Sequence, residues 1–355
     1  METLRPHVDV VIAVGDSEGI DALSMLADHT YETRAATPFH FGATLQHIIQ
    51  AHGLSGALYF GSGSGSLIES RHAQAYAEFA RREYPAALFN NFYSCDYGVF
   101  SQAHTLCSCQ LPEVDNGLGF SLADSGIDCY QLPRTAATQF DIDTPTDLLL
   151  AKNAGRGGPR LAAALQEMEL EHASLERILA LLTDRSQMLY LVGRVNPGTW
   201  RHFEREVACQ TSGMIEGRGM KATASRRERV LARLVREMGI ETFFSALEAC
   251  ADGALIDTRP LLAGPKGVLP PPDVRFNSDL MRLEEIHDPI WRALTERAAD
   301  SYIPILLGGH SLISGGLFLL AEVCWKGRDL PRRLHPEPFE REVLPNESDR
   351  AQTSD

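Results

Sequence analysis

The chain has 355 residues, 44% of them apolar and 23% charged, with a formal net charge of −14. This composition suits a globular protein of about two domains. The negative balance excludes nucleic acid or an anionic membrane as main partner, since both need a basic face.

Residues 8–14 form an apolar run ending at Gly15 and read as a buried strand. Residues 44–51 read as a helix stopped by Gly53. Residues 57–60 read as a second strand, followed by Gly61-Ser62-Gly63-Ser64-Gly65-Ser66. A helix over 69–82 and a third strand over 86–89 lead into Asn90-Asn91-Phe92-Tyr93-Ser94-Cys95-Asp96. This alternation predicts an α/β fold, a mostly parallel sheet with helices on both faces. A further strand is expected at 128–132. Asn, Gly, Arg and Pro cluster at 152–160, which places a boundary there and a first domain over 1–152.

The second half reads as helices within 161–182, a strand at 188–192, helices at 199–207 and 225–238, and strands at 253–256 and 303–307. It is expected to be a second, smaller α/β domain over 160–326. The Pro-rich, charged segment 327–355 is expected to be a disordered tail. Seven cysteines without framework spacing fit a reducing cytosol. Cys107-Ser108-Cys109 reads as structural, because no second Cys/His pair completes a zinc site. No signal peptide is recognisable and no apolar stretch approaches ~18 residues, so a cytoplasmic protein without a membrane span is expected.

The most informative segment is Phe140-Asp141-Ile142-Asp143-Thr144-Pro145-Thr146-Asp147-Leu148. Asp141 and Asp143 end an extended stretch, where alternation would point both to one face. Thr144 can cap a helix with Pro145 at its first position and Asp147 in its first turn. Two acids at a strand-to-helix corner can hold a divalent ion against phosphate. The alternative is that Thr-Pro-Thr-Asp only starts a helix and both acids are solvated. The loop Gly61, Ser62, Gly63, Ser64, Gly65 offers backbone N–H groups to an anion. It is neither a Walker motif nor a dinucleotide fingerprint. Arg134, followed by two threonines, can bind phosphate or an acceptor, or form a polar corner.

In the second half, Gly308, Gly309, His310 and Ser311 follow a strand and precede an apolar helix. That is the form of an anion pocket, and equally of close helix packing through glycine. Asp257 and Arg259 follow another strand, Asn277-Ser278-Asp279 follows a Pro-rich loop, and Gly193-Arg194 and Arg218-Gly219-Met220-Lys221 add polar groups. Together they suggest a second ligand site.

Asp-Ile-Asp-Thr-Pro-x-Asp-Leu resembles the closing motif of GT-A-fold nucleotidyltransferases. The first ~150 residues are similar in layout to the molybdenum-cofactor guanylyl/cytidylyltransferases and the 2-phospho-lactate guanylyltransferases. The resemblance implies a GT-A/Rossmann-like sheet, with catalytic Mg2+ (or Mn2+) held by Asp96 together with Asp141 or Asp143. It implies phosphate binding at Gly15, where the family's double glycine is reduced and its following Arg absent, and at Arg34. The function expected from it is transfer of a nucleoside monophosphate from a nucleoside triphosphate to a small phosphorylated or hydroxyl acceptor, releasing pyrophosphate. Two alternatives stand beside it. One is a glycosyltransferase of the same fold using a sugar nucleotide. The other is a catalytically degenerate protein that binds a nucleotide or phosphometabolite.

Overall fold

The structure is a computed structural model that describes residues 2–33, 38–170, 172–217, 229–262 and 269–328. The chain is α/β, with three sheets among the described residues. The first half runs β1 (Ile12–Gly15), α1 (Ser17–Leu23), β2 (His29–Glu32), α2 (Phe41–His52), β3 (Gly56–Phe60), α3 (Ser70–Ala80), β4 (Ala86–Phe89), β5 (Tyr97–Ser101), α4 (Leu118–Asp124), β6 (Asp128–Gln131) and α5 (Ala136–Gln139). Then come α6 (Pro145–Ala154), α7 (Pro159–Glu167), α8 (Ala173–Leu182), β7 (Met188–Gly193), α9 (Pro197–Glu206), β8 (Gln210–Ile215), α10 (Val230–Met238) and α11 (Ile240–Cys250). The last elements are β9 (Gly253–Asp257), α12 (Thr258–Leu262), α13 (Pro272–Asp279), α14 (Pro289–Ala299), β10 (Ile305–Gly308) and α15 (Gly315–Val323).

The first half departs from the expected sheet in two ways. β1 pairs only with β2, in a separate parallel ribbon. Of its four residues only Ala13 is buried, so the apolar run does not enter a sheet covered on both faces. The main sheet has the order β3-β5-β4-β6 and is mixed, with β5 antiparallel to both β3 and β4, and β6 parallel to β4. All five residues of β5 are buried, so this central strand has no polar alternation to mark it.

The second-half sheet is wholly parallel, in the order β8-β7-β9-β10. Strand alternation sorts its two faces. Leu189, Leu191, Leu255 and Leu306 lie in one core with residues of α6, α8 and α15. Val192, Ala254, Ile256, Ile305 and Leu307 lie in another with α10, α11 and α14. The core is continuous across residues 152–160: Leu149, Leu150, Ala151 and Ala154 of α6 belong to it together with Leu165 and Leu175. Thr146 reinforces that seam by donating to the Leu307 carbonyl at 2.7 Å.

The expected 161–182 helical region is two helices, and the His172 ring caps the second by accepting from Ser174 N–H. At the start of the expected tail, Arg328 donates to the Leu179 and Cys324 carbonyls, while residues 329–355 lie outside the described residues. Among the described residues no helix is long and apolar enough to cross a membrane.

Candidate functional site

The acid motif is held at a capped helix start. Thr144 N-caps α6, with Pro145 at the first position. The buried Asp147 carboxylate accepts from the Asp143 N–H at 3.0 Å, and from the Thr144 N–H and hydroxyl at 2.8 Å each. Asp147 thus fixes the corner, and the two preceding acids project differently. Asp143 is exposed, whereas Asp141 is half-buried and one of its carboxylate oxygens is buried without a hydrogen-bond partner.

The Gly-Ser loop packs against Asp141. Ser64 and Asp141 form an antiparallel bridge, and Ile142 N–H donates to the Gly63 carbonyl at 3.1 Å. A Cβ at Gly63 would lie 2.4 Å from the Ile142 carbonyl oxygen and 2.6 Å from Asp141 Oδ1, which explains glycine there. The same loop reaches Asp96. Gly61 N–H donates to the Asp96 carbonyl at 3.0 Å, and the Ser64 hydroxyl lies 3.2 Å from it. Ser62 is the loop's exposed residue.

Asp96 is oriented by a residue to which the sequence assigned no role. The buried Asn90 amide donates to the Asp96 carboxylate at 2.7 Å, and its oxygen accepts from the Asp96 and Tyr97 N–H groups. Gln139 in turn donates to the Asn90 carbonyl at 2.9 Å. The signal was an Asn-Asn pair straight after a strand, a common place for side chain–backbone bonding.

These contacts bring Asp96, Asp141 and the 61–66 loop together. Burial, then the negative charges of Asp143, Asp96 and Asp147, push the Asp141 carboxyl up to about 8. Burial likewise pushes Asp147 up to about 7, against the Thr144 hydrogen bond that favours its charge. Among the described residues no group of three His, Cys, Asp or Glu side chains is disposed to hold a metal ion, so the expected three-acid set does not converge. Asp96 and Asp141 nonetheless fit a hard divalent cation. Both offer carboxylate oxygen, Asp141 has a buried oxygen without a partner, and magnesium commonly takes one or two carboxylates plus substrate phosphate.

Other expected residues lie elsewhere. Gly15 ends the separate β1 ribbon, its carbonyl accepting from Thr33 N–H at 2.7 Å, and Asp16 caps α1 by accepting from Gly19 N–H. Arg34 lies outside the described residues, as do Arg218 and Lys221. Arg134 donates to the Asn196 side chain at 2.9 Å and lines a cavity with His202 of α9 and Phe318 of α15.

The second-half residues fall into two groups. Arg194 makes a two-point contact with buried Asp257, at 2.5 and 3.0 Å. Arg259, also buried, donates to both oxygens of buried Asp279 at 2.6 and 2.7 Å, and to Thr258 and the Gly308 carbonyl. Asp257 and Arg259 are therefore engaged in internal ion pairs. Gly308, Gly309, His310 and Ser311 begin the loop that supports the acid motif from behind. The Ser311 hydroxyl donates to the Asp141 carbonyl. A Cβ at Gly309 would meet Thr144, and one at Gly315 would meet Gln139 and Phe140. The residues of the expected second site are thus contiguous with the back of the first.

No family model, curated protein or solved structure matches this chain.

Proposed function

We propose that the chain is a cytosolic, magnesium- or manganese-dependent nucleotidyltransferase of the GT-A type, moving a nucleoside monophosphate from a nucleoside triphosphate to a small acceptor. The observation that carries this reading is the meeting of Asp96 and Asp141 beside the 61–66 loop, with the Asp141 carboxyl pushed up to about 8 by burial and neighbouring acids. Carboxylates so placed are relieved by a divalent cation, and a triphosphate brings that cation with it.

In the reaction an acceptor oxygen attacks the α-phosphorus. A new P–O bond forms, the bond to the bridging α,β-oxygen breaks, and pyrophosphate leaves. The metal, when bound, supplies charge neutralisation of the phosphates. Asp96 and Asp141 would hold it, and Asn90 keeps Asp96 in place through its amide. The exposed Ser62 of the adjoining loop would be the residue nearest to hand for the phosphates. The free state of all seven cysteines agrees with a reducing compartment.

The test is a thermal-shift series with each of the four nucleoside triphosphates, with and without magnesium. One nucleotide is expected to raise the melting temperature only with the metal, by mass action on the native state. The shift should vanish in Asp96→Asn and Asp141→Asn. A wild-type protein unmoved by all four nucleotides would sink the proposal.

A second reading, nucleotide binding without turnover, has its own observation. Asp16 is committed to capping α1, and no Lys or Arg occurs between Gly15 and Thr33. The opening turn therefore lacks the positive charge that neutralises a triphosphate in the transition state. Nucleotide binding without pyrophosphate release, across a screen of hydroxyl and phosphate acceptors, would select this reading.

A further inference from the structure

Helix α10 is apolar on more than the side it buries. Leu231, Ala232 and Val235 are buried, and Leu231 and Val235 share a core with Val192 and Ile256. Val230, Leu234 and Met238 recur at every fourth residue and are 67%, 45% and 39% exposed. Residues at that spacing stand one above another on a helix, so the three form a single stripe open to solvent. Beside the stripe, Arg233 and Glu237 pair at 3.9 Å with both side chains exposed. Large apolar side chains lined up on a surface mark a place of contact.

The second-half sheet is open at the neighbouring edge. Among the described residues β8 pairs with β7 alone, and no residue of β8 is buried, whereas β10 at the opposite edge is buried throughout. Residues 210–215 include neither a charged side chain nor a proline, the usual guards of a free edge. The end of this strand is fastened to the start of α10. Glu216 accepts from the Leu231 N–H at 2.9 Å and pairs with Arg229 at 3.1 Å. Met214 of β8 packs against the core that holds Leu231 and Val235.

We infer that this face docks a second copy of the chain about a two-fold axis. Turned about an axis at Leu234, α10 meets its copy antiparallel. Leu234 then faces Leu234 of the second copy, and Val230 faces Met238. Arg233 lies just before the axis and Glu237 just after it, so each Arg233 comes beside Glu237 of the second copy. The chain therefore carries both halves of the charge pattern, which a second copy matches and an unrelated helix would have to reproduce. The same axis can set β8 antiparallel to its own image and join the two sheets at their free edges. The edge is needed, since a stable contact buries about 800 Å² on each partner, more than three part-exposed side chains supply. None of these residues belongs to the acid site, so the contact is independent of the nucleotide reading.

The experiment is sedimentation velocity of the full chain over about 1–100 µM. The mass is expected to rise towards twice that of the chain, with a dissociation constant of about micromolar or tighter. Leu234→Glu sets two carboxylates face to face at the axis. It should weaken dimerisation at least about tenfold, while keeping the wild-type circular dichroism and the melting temperature measured at dilution. Arg233→Glu should weaken it by about tenfold, and Arg233→Glu/Glu237→Arg should recover it. Hydrogen exchange over residues 210–215 should slow as concentration rises. A wild type that stays monomeric at about 100 µM overturns the inference. So does a dimer that Leu234→Glu leaves intact, which places the contact elsewhere. A lower melting temperature of Leu234→Glu at dilution shows that the chain's own residues cover the stripe, and overturns it too. A double variant as weak as Arg233→Glu overturns the antiparallel arrangement, and exchange over 210–215 that ignores concentration removes β8 from the contact.

Discussion

Two clusters of aspartates lie beside strand ends of this molecule, and they handle negative charge in opposite ways. In the second half, each buried acid meets an arginine: Asp257 meets Arg194, and Asp279 meets Arg259 in a two-point pair that also reaches the Gly308 carbonyl. In the first half, Asp141 meets acids. Its neighbours Asp143, Asp96 and Asp147 all raise its proton affinity. A charge cluster neutralised by its own fold is a brace, and its residual affinity for a ligand is small. A cluster that concentrates like charge beside a glycine loop is poised for a ligand that carries positive charge. The difference lies in the partners rather than in the acids, and partners are what a linear sequence hides.

The sharpest way to break the comparison is to remove one member of the braced pair. Asp279→Ala leaves the Arg259 guanidinium buried without its main partner, so a loss of about 3–5 kcal/mol is expected in denaturant unfolding. A loss below about 1 kcal/mol would show that the Arg259 pair is not a brace, and would return Arg259 to the list of ligand-binding groups.

Next in size is the joint between loop and acids. Gly63→Ala puts a methyl group 2.4 Å from the Ile142 carbonyl oxygen and 2.6 Å from Asp141 Oδ1. Backbone must shift, at about 1–3 kcal/mol. The loop should separate from Asp141 and weaken any magnesium–nucleotide shift while the circular dichroism stays that of the wild type. Altered circular dichroism would mean that the variant has disturbed the fold as a whole.

Asp141→Asn tests the like-charge cluster through pH. The native carboxyl has its pKa raised from 3.8 to about 8, so the native state binds more protons than the unfolded chain between those values. The associated stability is fully present below the unfolded value and is lost as pH rises through about 8. Asparagine removes the titration. The variant's stability should therefore decline less between about pH 5 and pH 9, and above about pH 8 it should exceed wild type by at least ~1 kcal/mol. Parallel stability curves for the two proteins would show that Asp141 does not carry the strained charge.

Much of this arrangement was legible in the residue order, and the omissions have physical causes. Thr144-Pro145 with Asp147 marked the start of α6, because a cap, a fixed φ and an acid in the first turn are local preferences. The sequence also singled out Asp96, Asp141 and the 61–66 loop, whose contacts the fold then supplies. Asn90 went unassigned because its importance arises only when β5 folds back and brings Asp96 alongside it. β5 itself was missed because a strand buried on both faces loses the alternation that reveals strands. α14 was missed although Asp288 and Pro289 mark its start as plainly as Thr144 and Pro145 mark α6. The segment 8–14 misled for the converse reason, since an apolar β-branched run joined a peripheral ribbon where only Ala13 is buried. Arg134 was expected beside the acids, but packing against Asn196 turns its guanidinium towards α9.

The smallest expected effect decides how many acids the site uses. Asp143 has its backbone N–H tied to Asp147 and its side chain exposed. Replacing it with Asn leaves the α6 cap intact, so stability should stay within about 0.5 kcal/mol of wild type. Removing one neighbouring charge should also let Asp141 ionise at lower pH, since Asp143 is its largest like-charge neighbour. If Asp96 and Asp141 suffice for the metal, Asp143→Asn should keep the magnesium-dependent nucleotide shift and carry its onset to lower pH. If the shift disappears as it does in Asp141→Asn, the metal needs a third carboxylate, and Asp143 must turn inward when the nucleotide arrives.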